Sequence, residues 1–271
     1  LNYTKIEMYR QVQKIENLPV NTHVDMELST FQSSVFEYTV DQFTKFAKKV
    51  RILDETQVYE LFKSCELAVF EPAQGVLLDE NYGFHPFTTW TTCTLTNARQ
   101  ILKDIGFAGD VDTYGVCRVF ATRHGPGPFP TENNILSRDL SDPNNTTNIW
   151  QHGFRCGWLD LVLLDYALRA NGNVDHLSTA HFDYLSKYPT WKVCTKYKLD
   201  GVDWVPNLPA TIGKTYDMHD QEELTNKIQR VEPVYIEVKP DEIKNLIETT
   251  LKAKIRIIGN GPTFEDRRYI Y

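Results

Sequence analysis

Apolar residues recur at helical spacing in two early stretches, Val40 to Val50 (VDQFTKFAKKV) and Thr56 to Cys65. This spacing predicts helices and marks residues 1–65 as a helical region. From there the period changes. Leu67-Ala68-Val69-Phe70 is a short apolar run followed at once by Glu71-Pro72-Ala73-Gln74-Gly75, the form of a buried strand delivering a loop. Thr94 to Ile105 reads as a helix closed by Gly106, and Tyr114 to Thr122 (YGVCRVFAT) as a second buried strand. Gly157 to Ala170 is the next helix, with Asn171-Gly172 as its stop signal. His176 to Thr179 and Trp191 to Leu199 read as strands, the latter alternating apolar and polar. Ile243 to Leu251 is a helix, and Ile255 to Ile258 is a last strand running into Gly259-Asn260-Gly261-Pro262. Strands that alternate with helices, each strand feeding a polar glycine-containing loop, predict an α/β fold over residues 66–271. Its central sheet is mostly parallel, with flanking helices and ligands at the strand ends.

Composition narrows the partners. A chain of 271 residues can bury a sizeable core, and its net charge of −7 argues against a general nucleic-acid binder, which needs a basic face. The five cysteines (Cys65, Cys93, Cys117, Cys156, Cys194) are widely spaced with no C-x-x-C, which fits a reducing cytoplasm rather than a disulfide framework or zinc site. No apolar run approaches the roughly 18 to 20 residues of a membrane span. Asn145-Thr146-Thr147 matches a glycosylation sequon, which means little without a secretory signal.

The long stretch from Val119 to Asp160 is the densest in chemistry. It holds a Gly- and Pro-rich loop bracketed by Arg123 and Arg155. Prolines at 126, 128 and 130 pre-set its backbone. Arginines on such a loop suit carboxylate or phosphate; the same composition also fits an ordinary surface loop. Gln74 and Gly75 read as a strand-end amide and a close-approach glycine for a planar polar ligand, or as a plain strand-to-turn junction. Thr88-Thr89-Trp90-Thr91-Thr92 offers hydroxyls and amides for phosphate, or a polar turn capping the following helix. Ile212-Gly213-Lys214-Thr215 fails as a phosphate loop because Leu208 stands where its first glycine belongs. Arg123-His124-Gly125 has no second histidine–glutamate constellation to support phosphohistidine chemistry.

Five stretches taken in order resemble the adenylosuccinate synthetase family: FEPAQGVLLDENYGFHPFTT, VFATRHGPGPFPTE, FRCGWLDLVLLDYALRANG, STAHFD and IIGNGPTFED. The resemblance covers roughly Val40 to the C-terminus. It implies a P-loop-NTPase-like synthetase fold and a ligase that joins L-aspartate to C6 of a 6-oxopurine nucleotide. In this family a nucleoside triphosphate first phosphorylates O6, and the aspartate amine then displaces that phosphate, with Mg²⁺ neutralising charge. By matched motif, Gln74, Gly75, Thr88 and Thr89 would contact the purine nucleotide. Trp150, Gln151, His152 and Arg155 occupy the aspartate-binding stretch. His181, Asp183, Gly259, Asn260 and Gly261 would meet the base of the triphosphate. The resemblance also implies a homodimer in the cytoplasm.

Three departures shape the expectation further. The family's aspartate loop reads T-T-G-R-x-R-R, whereas Ile149 to Arg155 keeps one arginine. Its T-K-L-D pattern is here Thr179-Ala180-His181-Phe182-Asp183, so ATP is as fitting a donor as GTP. Both resemble the phage-type branch, which makes 2-aminoadenylosuccinate from dGMP. The glycine-rich phosphate loop and catalytic acid of the family are not among these residues and are expected upstream of Leu1; no metal ligand is assigned in this chain. The rival reading is a non-catalytic nucleotide-binding or assembly module that lost the phosphate loop.

Overall fold

A computed structural model of the chain describes residues 34–140, 145, 147, 152–208 and 218–270. Trp150 and Gln151 of the aspartate stretch, the Gly213-Lys214-Thr215 segment and residues 1–33 of the helical region lie outside the described residues. The chain divides into two units, Leu1–Leu67 and Ala68–Tyr271.

In the first unit, α1 spans Ser34–Ala47 and α2 spans Glu55–Ser64. The second helix begins at a capping box. Asp54 accepts the Gln57 N–H at 2.8 Å, and the Gln57 side chain accepts the Asp54 N–H at 3.2 Å, satisfying two end amides at once. An Asp41–Lys45 pair at 2.6 Å braces α1. Its apolar stripe stays exposed, Phe43 at 58% and Phe46 at 61%.

Among its described residues the second unit is built on three sheets. The central one joins β1 (Tyr114–Arg118), β5 (His176–Ala180) and β9 (Lys254–Gly259) in parallel, with β10 (Arg267–Tyr269) antiparallel at the edge. A two-stranded antiparallel sheet pairs β2 (Ala121–His124) with β3 (Phe154–Gly157). The third centres on β6 (Trp191–Leu199), which pairs parallel with β4 (Leu159–Asp160) and antiparallel with β7 (Val202–Trp204) and β8 (Glu232–Val238). Helices α3 (Thr96–Asp104), α4 (Asn134–Asp139), α5 (Leu161–Ala170), α6 (Met218–Ile228) and α7 (Ile243–Leu251) complete it. The largely parallel central sheet with flanking helices is the α/β arrangement that the alternating pattern predicts.

Helix α5 explains why the unit coheres. Its sequence LVLLDYALRA is apolar nearly all round, as a helix between two cores must be. Leu161 and Leu168 pack with Leu177, Ile247 and Ile255 beneath the central sheet. Val162, Leu163 and Tyr166 pack with Phe84, Tyr197 and Ile228 on the other side. Asp160 caps α5 by accepting the Val162 and Leu163 N–H groups at 3.1 Å each, and it takes the Tyr197 hydroxyl at 2.5 Å. Burial pushes the Asp160 carboxyl up to about 6, against the pull of those three donors.

The central sheet is covered unevenly. Its register places Val116, Ser178, Ile257 and Tyr269 in one row on one face. Val116 is 81% and Tyr269 48% exposed, while Leu177 and Ile255 on the opposite face are buried. The run Leu67–Phe70, expected as a buried strand, is a correction: it forms no strand, and Leu67 and Val69 are exposed. An apolar run becomes a strand only beside a partner, and no described strand pairs with it. The expected strand Tyr114–Thr122 is two strands, broken at the buried pair Val119–Phe120.

Candidate functional site

The loop after Phe70 is organised by a buried carboxylate. Asp79 accepts the N–H groups of Asn81 (2.8 Å), Tyr82 (3.1 Å) and Cys93 (2.6 Å), tying the start of the loop to its end. Thr89 N–H donates to the Leu78 carbonyl at 2.8 Å, and Glu80 N–H to the Thr91 carbonyl at 3.2 Å. These bonds bring the two motif segments together. Gln74 sits in the left-handed region (φ 58°) and donates its amide to the Thr89 hydroxyl at 3.2 Å. Gly75 beside it has open space where a side chain would stand. Thr88 packs its methyl against Gly83, which has no room for a side chain. A cavity of about 310 Å³ lies alongside, lined by Gln74, Gly75, Cys93, Val116, Cys117 and Leu164. Burial and the nearby Asp79 push the Cys93 thiol up to about 11, so it stays protonated.

Arg123 and Arg155 do not flank a structureless loop; they face each other as antiparallel partners on β2 and β3. Helix α4 lies within the connection, capped by Asn133 accepting the Leu136 N–H at 3.0 Å. Both guanidiniums are spent on the loop. Arg123, 8% exposed, donates to the carbonyls of Pro126 and Phe87 at 3.1 Å each. Arg155 donates to the carbonyls of Gly125 (2.7 Å) and Gly127 (3.0 Å) and pairs with Glu132 at 2.7 Å. Burial, with Arg155 across the ladder, pulls the Arg123 guanidinium down to about 10. The Arg123–Phe87 bond joins this frame to the Thr88–Thr89 segment. Arg155 is therefore a strand residue that holds the Gly-Pro turn, with three of its hydrogen bonds made within the protein. His152, also exposed, is in the left-handed region (φ 56°) at the entry to β3.

The residues expected at the triphosphate base come together at the carboxyl ends of neighbouring parallel strands. His181 ends β5 in the left-handed region (φ 65°), its ring 5.3 Å from Phe120 and 4.9 Å from Tyr184. Asp183 is exposed on the 3₁₀ turn Phe182–Lys187. Gly259 closes β9, and a side chain on it would meet Arg267 and approach the Ala180 backbone at 3.4 Å. The Gly259–Gly261 turn is fixed by Asn260 N–H to Asp266 O (3.0 Å) and by Arg267 to Gly261 O (2.5 Å). Ligand sites in open α/β sheets occupy this end of the strands.

Among the described residues no three His, Cys, Asp or Glu side chains come together so as to hold a metal ion. No helix among the described residues is long and apolar enough to cross a membrane. A larger open groove of about 600 Å³, lined by Arg99, Lys103, Phe107 and Asp175 among others, lies by the amino ends of β1 and β5, and none of the expected site residues lines it. Two residues escaped the sequence reading. Asp79 was signalled by the Asp-Glu-Asn-Tyr-Gly turn composition, which suits a carboxylate bonding backbone two residues on. Arg123 as a buried frame residue had no such signal, because an arginine's burial is set by the fold.

Neighbouring parallel strands with polar turns gathered at their carboxyl ends define an α/β protein of the class whose ligand sites lie at the strand ends. Comparison with known proteins places it within that class. The sequence model of the adenylosuccinate synthetase family matches residues 6–268, and the chain belongs to this family. The match begins well before Val40, where the resemblance was expected to start. The adenylosuccinate synthetase of Flavobacterium psychrophilum is 31% identical over 268 residues, covering 88% of this chain and 56% of that protein. That of Clostridium kluyveri is 30% identical over 260 residues, covering 91% and 59%. The chain thus spans somewhat over half the length of these relatives. A fully ligated adenylosuccinate synthetase from Plasmodium falciparum shares the fold, with a TM-score of 0.71 at 21% identity, over 92% of this chain and 62% of that one.

Proposed function

We propose that this chain forms the nucleotide- and aspartate-binding part of a ligase that joins L-aspartate to C6 of a 6-oxopurine nucleotide. The reading is supported by one observation above all: Gln74 and Thr89, far apart in sequence, meet at 3.2 Å in a loop whose backbone is tied from both ends. Gln74 would hold the purine edge and Thr88–Thr89 the phosphate. His181, Asp183 and the Gly259–Gly261 turn would receive the base of ATP or GTP, with Mg²⁺ carried in on the phosphates. Arg155 and His152 would frame the aspartate, together with Trp150 and Gln151. The altered His181 and Ile149–Arg155 stretches favour the phage-type substrate dGMP over IMP. A homodimer in the cytoplasm accompanies the reading.

The chemistry needs a phosphate loop that these residues do not contain, so the chain alone binds nucleotide without turnover. Calorimetric titration with dGMP and IMP, beside ADP release in the presence of aspartate, tests this. Binding of dGMP over IMP, abolished by Gln74→Ala, is the expected result. Turnover by this chain alone would refute the division of labour. IMP-only binding would refute the phage-type substrate, and binding of neither leaves the non-catalytic assembly module.

A further inference from the structure

The turn from Thr88 to Thr92 carries one side chain that its own surroundings do not explain. Trp90 is 96% exposed, more than any other large apolar side chain among the described residues. The backbone beneath it is pinned on both sides. Thr89 N–H bonds Leu78 O at 2.8 Å, Glu80 N–H bonds Thr91 O at 3.2 Å, and the Thr92 hydroxyl bonds Glu80 at 3.0 Å. An indole is the largest apolar group a chain can bury, and leaving it in water on a rigid turn forgoes that gain. Such a group is positioned for something that covers it.

Its place in the fold says what. The preceding residue is Thr89, whose hydroxyl receives the Gln74 amide at 3.2 Å. Neighbouring α-carbons are about 3.8 Å apart, so the indole leaves the backbone one residue from the point where Gln74, the group that would hold the purine edge, meets the turn. Gly75, with open space beside it, leaves room for the ring. We propose that Trp90 is a further nucleotide-binding residue: its indole stacks on the purine ring of the mononucleotide held by Gln74 and Thr89. The inference rests on the nucleotide reading of that pair. It adds a contact that recognises the flat apolar ring itself and is indifferent to the ring's substituents. Base–aromatic stacking tolerates any base because every base presents a π-face.

The test uses the 271-residue chain with Trp90→Ala and Trp90→Phe, and with dGMP, IMP and ribose 5-phosphate as probes. Truncation to alanine should weaken nucleotide binding about tenfold, with phenylalanine retaining most of it. Ribose 5-phosphate, which has no ring, should bind both variants as it binds the parent chain. The red-edge indole emission that Trp90→Phe removes should be quenched by nucleotide in the parent chain. Unchanged nucleotide affinity in Trp90→Ala, or bound nucleotide that leaves that emission unaltered, overturns the inference while the nucleotide reading survives through Gln74→Ala. Equal weakening of ribose 5-phosphate also overturns it, since the turn and not the stack was then lost. A parent chain that binds none of the three probes removes the nucleotide reading and this inference with it.

Discussion

Replacing Asp160 with asparagine isolates a buried charge and gives a stability change whose size and sign follow from the structure. In the fold the carboxyl is 3% exposed, caps α5 and takes the Tyr197 hydroxyl. Burial outweighs these donors and raises its pKa from 3.8 to about 6. The folded chain therefore holds this proton more tightly than the unfolded chain does. The stabilisation is fully present below pH 3.8 and is lost as pH rises through about 6. At roughly 1.4 kcal/mol per pH unit, a rise from 3.8 to about 6 amounts to about 3 kcal/mol. Asparagine keeps an acceptor for the two cap amides and carries no charge. Its altered bond to Tyr197 adds an offset of about 1 kcal/mol that does not vary with pH. Urea unfolding followed by tryptophan fluorescence at pH 4, 5, 6 and 7.5 measures both proteins. The stability of Asp160→Asn relative to the parent should rise by about 2 to 3 kcal/mol across this range. Parallel curves would show that Asp160 ionises alike in both states and would refute the reasoning.

Two further substitutions probe the frame and the sheet edge. Gly127 has φ 113°, and a side chain on it would strike the Arg123 guanidinium and Phe87. Gly127→Ala should cost about 3 kcal/mol from backbone strain and overpacking, with faster proteolysis near Gly125–Pro130; an unchanged urea midpoint would contradict this. Val116, at 81% exposure on the free side of β1, contributes little to the core. Val116→Lys should leave stability within about 0.5 kcal/mol and reduce self-association in light scattering; a large loss of stability would show that the face is covered.

Where local pattern decided structure, the sequence was legible. Trp191–Leu199 and Ile243–Leu251 occupy the bounds their periodicity predicts, because alternation and helical spacing each match a face buried in the fold. Leu67–Phe70 misled because an apolar run states a preference for burial without naming the partner that provides it. Strands β3, β7, β8 and β10 passed unread, and β4 lies inside the stretch expected as helix from Gly157, which becomes helical only at Leu161. These strands are short or carry charges, as Glu237 does opposite Lys192, and pairing rather than alternation defines them. The motif residues were visible through the resemblance. What could not be read was Arg155 bonding two glycine carbonyls, since only the β2–β3 register brings it beneath the turn.

The central sheet also sets an order of events during synthesis. Its three parallel strands begin at Tyr114, His176 and Lys254, so the third is made well after the other two. The core around Tyr166, Tyr197 and Ile228 draws only on residues up to Tyr235, so it can close before α7 and β9 have been made. The core around Leu177 must wait for Ile247 and Ile255. Until then β5 has an open flank, and the nascent chain depends on rapid arrival of α7 and β9 to seal it.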